Sequence, residues 1–191
     1  MSGPTACLSS AGERRCPSAG SPCARGRSSI GARPERPRPA FRPAGAADVG
    51  ALTDVERAAS IAALGHVFPP SEYPYPTDTV RQRWVEALAD PEVAVEVLDD
   101  EEHPGLVVAF VAFDEAEVRH LGVHPRYWRR GHARKALGVA TSRMVDPRLW
   151  VLERNHRARS MYEHLGWAPT GRSRPAEFPP FPVEVELAYR R

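Results

Sequence analysis

LGVHPRYWRRGHARKA, residues 121–136, is the stretch whose reading decides the fold. Leu121, Gly122 and Val123 end a strand, Pro125 stands in a turn, the basic pair Arg129 and Arg130 leads to Gly131, and a helix begins just beyond it. Main-chain N–H groups at a helix start have no partner within the helix. The helix dipole adds partial positive charge there, and glycine lets a ligand approach the backbone closely. A phosphorylated molecule is the natural guest of such a corner. The stretch has neither the Lys-Ser/Thr ending of a triphosphate loop nor the G-x-G-x-x-G of a dinucleotide site, so a different phosphate carrier is implied. The plain alternative is a strand, turn and helix with an exposed basic corner.

Working back from this stretch, EVRHLGV (117–123) is the strand that delivers the chain to the turn. LVVAFVAF (106–113) precedes it as a strand apolar on both faces. Val93, Val95 and Val97 alternate with Ala94, Glu96 and Leu98 in another strand, joined to 106–113 by the acidic turn DDEEHPG (99–105). Three antiparallel strands therefore precede the helix. Further back, Asp48 can open a helix in which Leu52, Val55, Ala59 and Ala62 recur at spacings of three and four, and AFRP (40–43) is a short first strand. A second helix starts at Thr77, with Val80, Trp84, Ala87 and Leu88 on one face. Between the two helices lies FPPSEYPYPT (68–77), whose prolines deny it regular structure while Phe68, Tyr73 and Tyr75 are too apolar for a freely solvated loop.

Working forward, Ala133, Ala136, Leu137, Ala140 and Met144 form an amphipathic face, and Pro147 is expected to stop that helix. LWVL (149–152) is a short buried strand. A further helix runs from about His156 to Leu165 and ends at Gly166, the residue type favoured just past a helix. In the closing VEVELAYR (183–190), Val183, Val185, Leu187 and Tyr189 share one face, and no internal repeat appears.

Two motifs carry a resemblance to a known family. Val123, Pro125 and the run Trp128-Arg129-Arg130-Gly131-His132-Ala133 are similar to the acyl-coenzyme A binding signature of the GCN5-related N-acetyltransferase superfamily, Arg/Gln-x-x-Gly-x-Gly/Ala. Trp128 departs from it by standing where Arg or Gln is usual. The piece LWVLERNHRARSMYEHLGW (149–167) resembles the superfamily's second hallmark, Asn-x-x-Ala-x-x-x-Tyr-x-x-x-Gly-Phe/Trp, through Asn155, Ala158, Tyr162, Gly166 and Trp167. Each match has a structural explanation too: Asn155 can be only a helix cap, and Tyr162 lies in the stripe Ala158, Met161, Tyr162, Leu165 of any packed helix. Both signatures nevertheless occur in the right order, one helix and one strand apart, within a resemblance that spans roughly residues 39–190.

The resemblance implies an α/β (α+β) fold, that of acyl-CoA N-acyltransferases: a mixed, mostly antiparallel sheet flanked by helices, with splayed central parallel strands ending here near Val123 and Leu152. It implies an N-acetyltransferase that moves an acetyl group from acetyl-CoA, as acyl-donor substrate, to a primary amine of a small molecule, peptide or protein by direct attack. Leu121, Val123, Trp128, Arg129, Arg130, Gly131, His132, Ala133, Asn155 and Tyr162 are the implied donor-binding residues. The amide of Val123 would donate to the oxyanion, Tyr162 would be the general acid at sulfur, and the two-helix region would form much of the acceptor pocket. For the general base, strict alternation puts Glu117 and Arg119 on the face of Leu121 and Val123, provided no bulge intervenes, and His120 on the other. Glu117 is therefore preferred, against the alternative of an ordinary solvated glutamate. His120, His124 and His132 lack the supporting cysteines or carboxylates of a metal site, and no metal is expected. A noncatalytic acyl-CoA-binding regulatory module is the rival reading.

The 191 residues suit one domain, expected over 38–191, plus an extension over 1–37 rich in Arg, Ser, Pro and Gly that is expected to be disordered. Residues 1–43 hold 8 Arg and 2 acidic residues. The remainder holds 18 Lys plus Arg against 22 acidic residues, a mild acidity that suits a cationic amine better than an anion. The arginines of the extension are scattered without aromatics between them, so a nucleic-acid arm is not favoured. Cys7, Cys16 and Cys23 all lie there, an odd number with no matching histidines, which argues against a disulfide framework or a zinc site. No apolar run approaches the ~18 residues of a membrane helix, and no secretory signal is recognisable, so a cytoplasmic protein without membrane partners is expected. A homodimer is left open.

Overall fold

The computed structural model describes residues 40–190; the expected disordered extension, its cysteines and its arginines lie outside the described residues. The described chain runs β1 (Arg42–Pro43), α1 (Val49–Leu64), α2 (Thr77–Ala89), β2 (Ala94–Asp99), β3 (Val107–Phe113), β4 (Glu117–Val123), α3 (His132–Thr141), β5 (Arg148–Leu152), α4 (His156–His164), β6 (Trp167–Pro175) and β7 (Val183–Tyr189). The strands form one sheet in the order β1-β2-β3-β4-β5-β7-β6, antiparallel throughout except for the pair β4 and β5. A parallel pair needs a crossover, and α3 supplies it.

The alternating faces of the strands meet different helices. Val49, Leu52, Val55, Val80 and Trp84 of α1 and α2 bury Val95, Val97, Phe110 and Ala112 on one face. Ala136, Leu137 and Ala140 of α3, with Tyr162 of α4, bury Val111, Val118, Leu149 and Val151 on the other. β3 is buried along its whole length, because it is the strand both helix layers cover. No helix among the described residues is long and apolar enough to cross a membrane.

Two expectations about elements change, and a third is met by other means. Asp48 stands at the N-cap of α1, but its side chain accepts from no amide of that helix. Its carboxylate accepts from Arg42 at 2.9 and 3.0 Å and from the Gly45 amide at 2.9 Å, tying β1 to the helix start. Helix α3 stops at Thr141, well before Pro147. The hydroxyls of Thr141 and Ser142 turn back onto the carbonyls of Leu137 and Val139, and Met144 is buried from the turn that follows. β6 has no counterpart in the sequence reading. WAPTGRSRP contains two prolines and a glycine and lacks alternation, yet it pairs with β7 around a bulge between Pro169 and Ser173. Its position at the sheet edge explains the tolerance, since an edge strand does not need every N–H.

Candidate active site

The two parallel strands pair only at Glu117 with Arg148 and Val118 with Leu149, and then part. β4 continues to Val123 against β3, and β5 continues to Leu152 against β7, so each strand has a full partner on its outer side and a free edge on the inner one. The His124 amide donates to Val108 O at 2.8 Å. In an antiparallel ladder, this places the N–H groups of 120 and 122 toward β3 and those of Leu121 and Val123 toward the gap. A buried main-chain group without a partner is costly, so an open edge of this kind calls for a ligand or water.

At the wide end of the gap the backbone folds into an anion cradle. Arg129 has φ +66°, a left-handed conformation that costs a non-glycine residue about 1–2 kcal/mol. Gly131 follows at φ +81° and precedes α3. The amides of residues 129–134 find no acceptor among the described residues, and a Cβ on Gly131 would meet nothing within 4 Å. Gly131 is thus needed for its backbone angle and for the open space beside it, not for protein packing. Successive N–H groups around alternating right- and left-handed residues form a nest suited to phosphate oxygens. Arg129 and Arg130 add charge, Arg130 lying over the Tyr127 ring at 4.8 Å. Ala133 packs with Val123, Leu98 and Trp128, while His132 is buried with Nδ1 unpartnered and its pKa lowered by burial.

Trp128 takes a role that its motif position does not announce. Its indole N–H donates to Val123 O at 2.7 Å, fixing the end of β4 and leaving the Val123 amide free. The guanidinium of Arg157, on the first turn of α4, lies over the Trp128 ring at 4.2 Å, so the ring and the cation link the two arms of the gap. Asn155 caps α4: its Oδ1 accepts from Ala158 N at 3.2 Å, which leaves its NH2 and a second Oδ1 lone pair for a ligand.

A cavity of about 900 Å3 runs from the α1 and α2 side through the gap to α4 and gathers Glu117, His120, Leu121, Asn155 and Tyr162. Val123 and residues 128–133 do not line it. They stand at the other end of the gap, with Arg130 and His132 on a second cavity of about 590 Å3. The face assignment in β4 changes here. Ala112 pairs with His120 but Phe113 with Val118, so Arg119 is an extra, bulged residue. Val118 and Leu121 consequently share the α3 and α4 face, while His120 packs edge-on against Trp84 at 5.4 Å on the opposite one. Glu117 therefore turns to the face of His120, not to that of Leu121 and Val123.

Burial raises the Glu117 pKa above the ordinary glutamate value, with Arg174 and Arg119 opposing the shift. Burial pushes the His120 imidazole down to about 3, helped by Arg83 and Arg119. At neutral pH His120 is uncharged and a weak base, whereas the carboxylate of Glu117 is more basic than one on the surface. Tyr162 is 8% exposed and burial raises its pKa, so the phenol stays protonated. The three histidines 120, 124 and 132 diverge, and among the described residues no group of three or more His, Cys, Asp or Glu gathers as a metal would require.

Several cavity residues went unnoticed in the sequence. Glu56 of α1 accepts from Trp84 Nε1 at 2.8 Å and pairs with Arg83 of α2 at 2.5 Å; Arg83 also reaches Glu177, in the β6–β7 connection, at 3.5 Å. The Tyr75 hydroxyl is buried near Glu56 and Ser60, and burial raises its pKa. Trp150 of β5 carries the guanidinium of Arg174 at 4.2 Å. The spacing of Glu56 and Arg83 carried no signal, since 27 residues separate them. The one available clue was the aromatic, proline-rich run at 68–77.

The acetyltransferase (GNAT) family model matches residues 58–167. No curated protein sequence matches the chain. Among solved structures, the apo form of YjaB from Escherichia coli is 22% identical with a TM-score of 0.65, over 80% of this chain and 97% of that one. The PaiA N-acetyltransferase of Thermoplasma acidophilum in complex with coenzyme A is 12% identical, with a TM-score of 0.59 over 81% and 99%. The ribosomal-protein-S18-alanine N-acetyltransferase of Escherichia coli is 17% identical, with a TM-score of 0.59 over 80% and 93%. At these identities the likeness is one of fold.

Proposed function

The chain belongs to the acetyltransferase (GNAT) family, and we propose that within it the protein transfers an acetyl group from acetyl-CoA to a primary amine by direct attack in a ternary complex. The observation that carries this reading is the parting of β4 and β5 after two residue pairs, beside an unpartnered run of amides at 129–134. The nest and its arginines hold the diphosphate. The free edges of β4 and β5 hold the pantetheine arm as though it were an added strand, leading the thioester to Val123.

The chemistry then needs a neutral amine, a donor for the charge growing on the carbonyl oxygen, and an acid for the departing sulfur. Glu117 takes the ammonium proton, directly or through a water, and the amine nitrogen attacks the thioester carbon. The Val123 amide donates to the carbonyl oxygen, and the Trp128 bond to Val123 O holds that peptide unit in place. As the C–S bond breaks, Tyr162 gives its proton to sulfur, and the second proton lost by the attacking nitrogen as the amide forms returns through solvent to the phenolate, restoring the phenol. Its buried, protonated phenol suits that role. The base proton leaves Glu117 to solvent through the open cavity.

Thiol release from acetyl-CoA over a panel of primary amines tests the proposal, with coenzyme A binding measured alongside by calorimetry. Amine-dependent thiol release that Tyr162→Phe slows without weakening coenzyme A binding supports it. Tight binding with no release on any acceptor would instead make the protein an acyl-CoA-binding regulatory module.

A further inference from the structure

The acceptor cavity has three properties that narrow what can enter it. The first is its charge. Five glutamates and three arginines line it. Arg83 is held by Glu56 and Glu177, Arg174 by Glu184 at 2.8 Å, and Arg119 by Asp114 at 2.7 Å. Each arginine thus already has a carboxylate partner, although Arg83 Nε is buried without one, while Glu117 has no salt-bridge partner among the described residues. An entering carboxylate or phosphate finds no uncommitted lining arginine. An entering ammonium finds Glu117.

The second property is the wall. Phe68, Tyr73, Tyr75 and Phe178 stand around the cavity with several prolines between them, flat and rigid surfaces that favour an apolar or aromatic body bearing a cation. The third is the roof. Val67 and Phe68, in the α1–α2 connection, pack with Ala176, in the β6–β7 connection, and with Leu152 at the end of β5. The Arg83 to Glu177 pair joins the β6–β7 connection to α2, and His66 Nε2 is 3.0 Å from Arg154 O. A polypeptide terminus needs an open groove in which the following residues can lie. Here the two connections that would form the sides of such a groove are in contact with each other.

Resting on the acetyl-transfer reading above, we propose that the acceptor is a small, free, cationic amine on an apolar or aromatic body, lacking any acidic group, and not the end of a polypeptide. The test uses the full chain, acetyl-CoA and three acceptors that share one side chain: phenethylamine, phenylalanine, and a tetrapeptide amide beginning with phenylalanine. The kcat/KM for phenethylamine is expected to exceed the other two by about a hundredfold, the scale on which an uncompensated charge or a blocked path is rejected. Parity for phenylalanine would overturn the charge argument, and parity for the tetrapeptide would overturn the closed roof. If none of the three reacts while another amine, such as spermidine, releases thiol, acetyl transfer stands and this inference falls. If no amine releases thiol although coenzyme A binds, the acetyl-transfer reading itself fails. Glu177→Ala, at a side chain 62% exposed, unties the roof without endangering the core. It is expected to raise the tetrapeptide's kcat/KM relative to phenethylamine by several-fold, and an unchanged ratio would overturn the role of the roof.

Discussion

The two ends of the gap between β4 and β5 are built from opposite materials. At the proposed donor end the groups on offer are main-chain amides of residues 121, 123 and 129–134, held by backbone geometry and by one indole hydrogen bond. At the acceptor end they are side chains from α1, α2, β4, α4 and the connections between elements, held by ion pairs and ring contacts. Backbone donors are indifferent to most substitutions, so one motif can bind the same donor in chains that share little else. Side-chain walls change with every replacement. The contrast fits a fold that persists at 12–22% identity, since a site made of backbone groups survives most side-chain replacements.

The largest effect that would break this comparison is at Gly131. Gly131→Glu places bulk and negative charge where phosphate oxygens would sit, on a residue at φ +81°. Coenzyme A affinity should fall by at least about a hundredfold by calorimetry. Retained affinity would put the diphosphate elsewhere. Next in size, Tyr162→Phe should lower kcat about a hundredfold with little change in coenzyme A affinity, separating proton donation from binding.

Glu117→Gln sharpens the acceptor side. Turnover should fall by about a hundredfold or somewhat less, and the rise of kcat/KM with pH expected of the wild type from its raised Glu117 pKa should disappear. The stability effect has the opposite sign. A carboxyl whose folded pKa is raised costs stability once it ionises, so the wild type loses stability as pH climbs through that pKa. The glutamine variant should therefore melt slightly higher at pH 7, and the gain should vanish when the pH is lowered below the glutamate range.

Two packing variants test the scaffold of each end. At Gly122 an added Cβ would overlap the Phe110 ring, which itself packs edge-on to Trp84 at 5.0 Å. Gly122→Ala should cost about 1–3 kcal/mol in denaturant melts and disturb the acceptor side through Trp84 and His120. Trp128→Phe keeps a ring for Arg157 but loses the bond to Val123 O, which should cost about 1 kcal/mol and lower Tm by about 2–4 °C. A modest rise in KM for acetyl-CoA should accompany it.

Much of the donor end was legible because its elements are short and contiguous. The turn with Arg129 and Gly131, the cap at Asn155 and the left-handed Gly166 that closes α4 each depend on a few neighbouring residues. The order of strands and helices was legible for the same reason, through periods of two and of 3.6. The acceptor end was not. Its Glu56, Arg83 and Glu177 come from three distant segments, and outside the two motif strands and α4 only Phe68, Tyr73 and Tyr75 stand out in the sequence. β6 is not legible because an edge strand of prolines and arginines obeys no burial pattern, and the face of Glu117 follows from alternation only where no bulge intervenes, which the extra residue at Arg119 violates.

The amino-acid order by itself determined the local geometry: which residues are helical or extended, where a backbone must turn left-handed, and where helix amides would be free. Steric limits and hydrogen-bond periodicity act over a few residues, so a single sequence is enough to read them. The tertiary structure alone decided that β4 gains an extra residue, that β4 and β5 part after two pairs, and that the α1–α2 and β6–β7 connections touch. Those outcomes are set by the competition of packing among segments up to about a hundred residues apart, which no local pattern encodes.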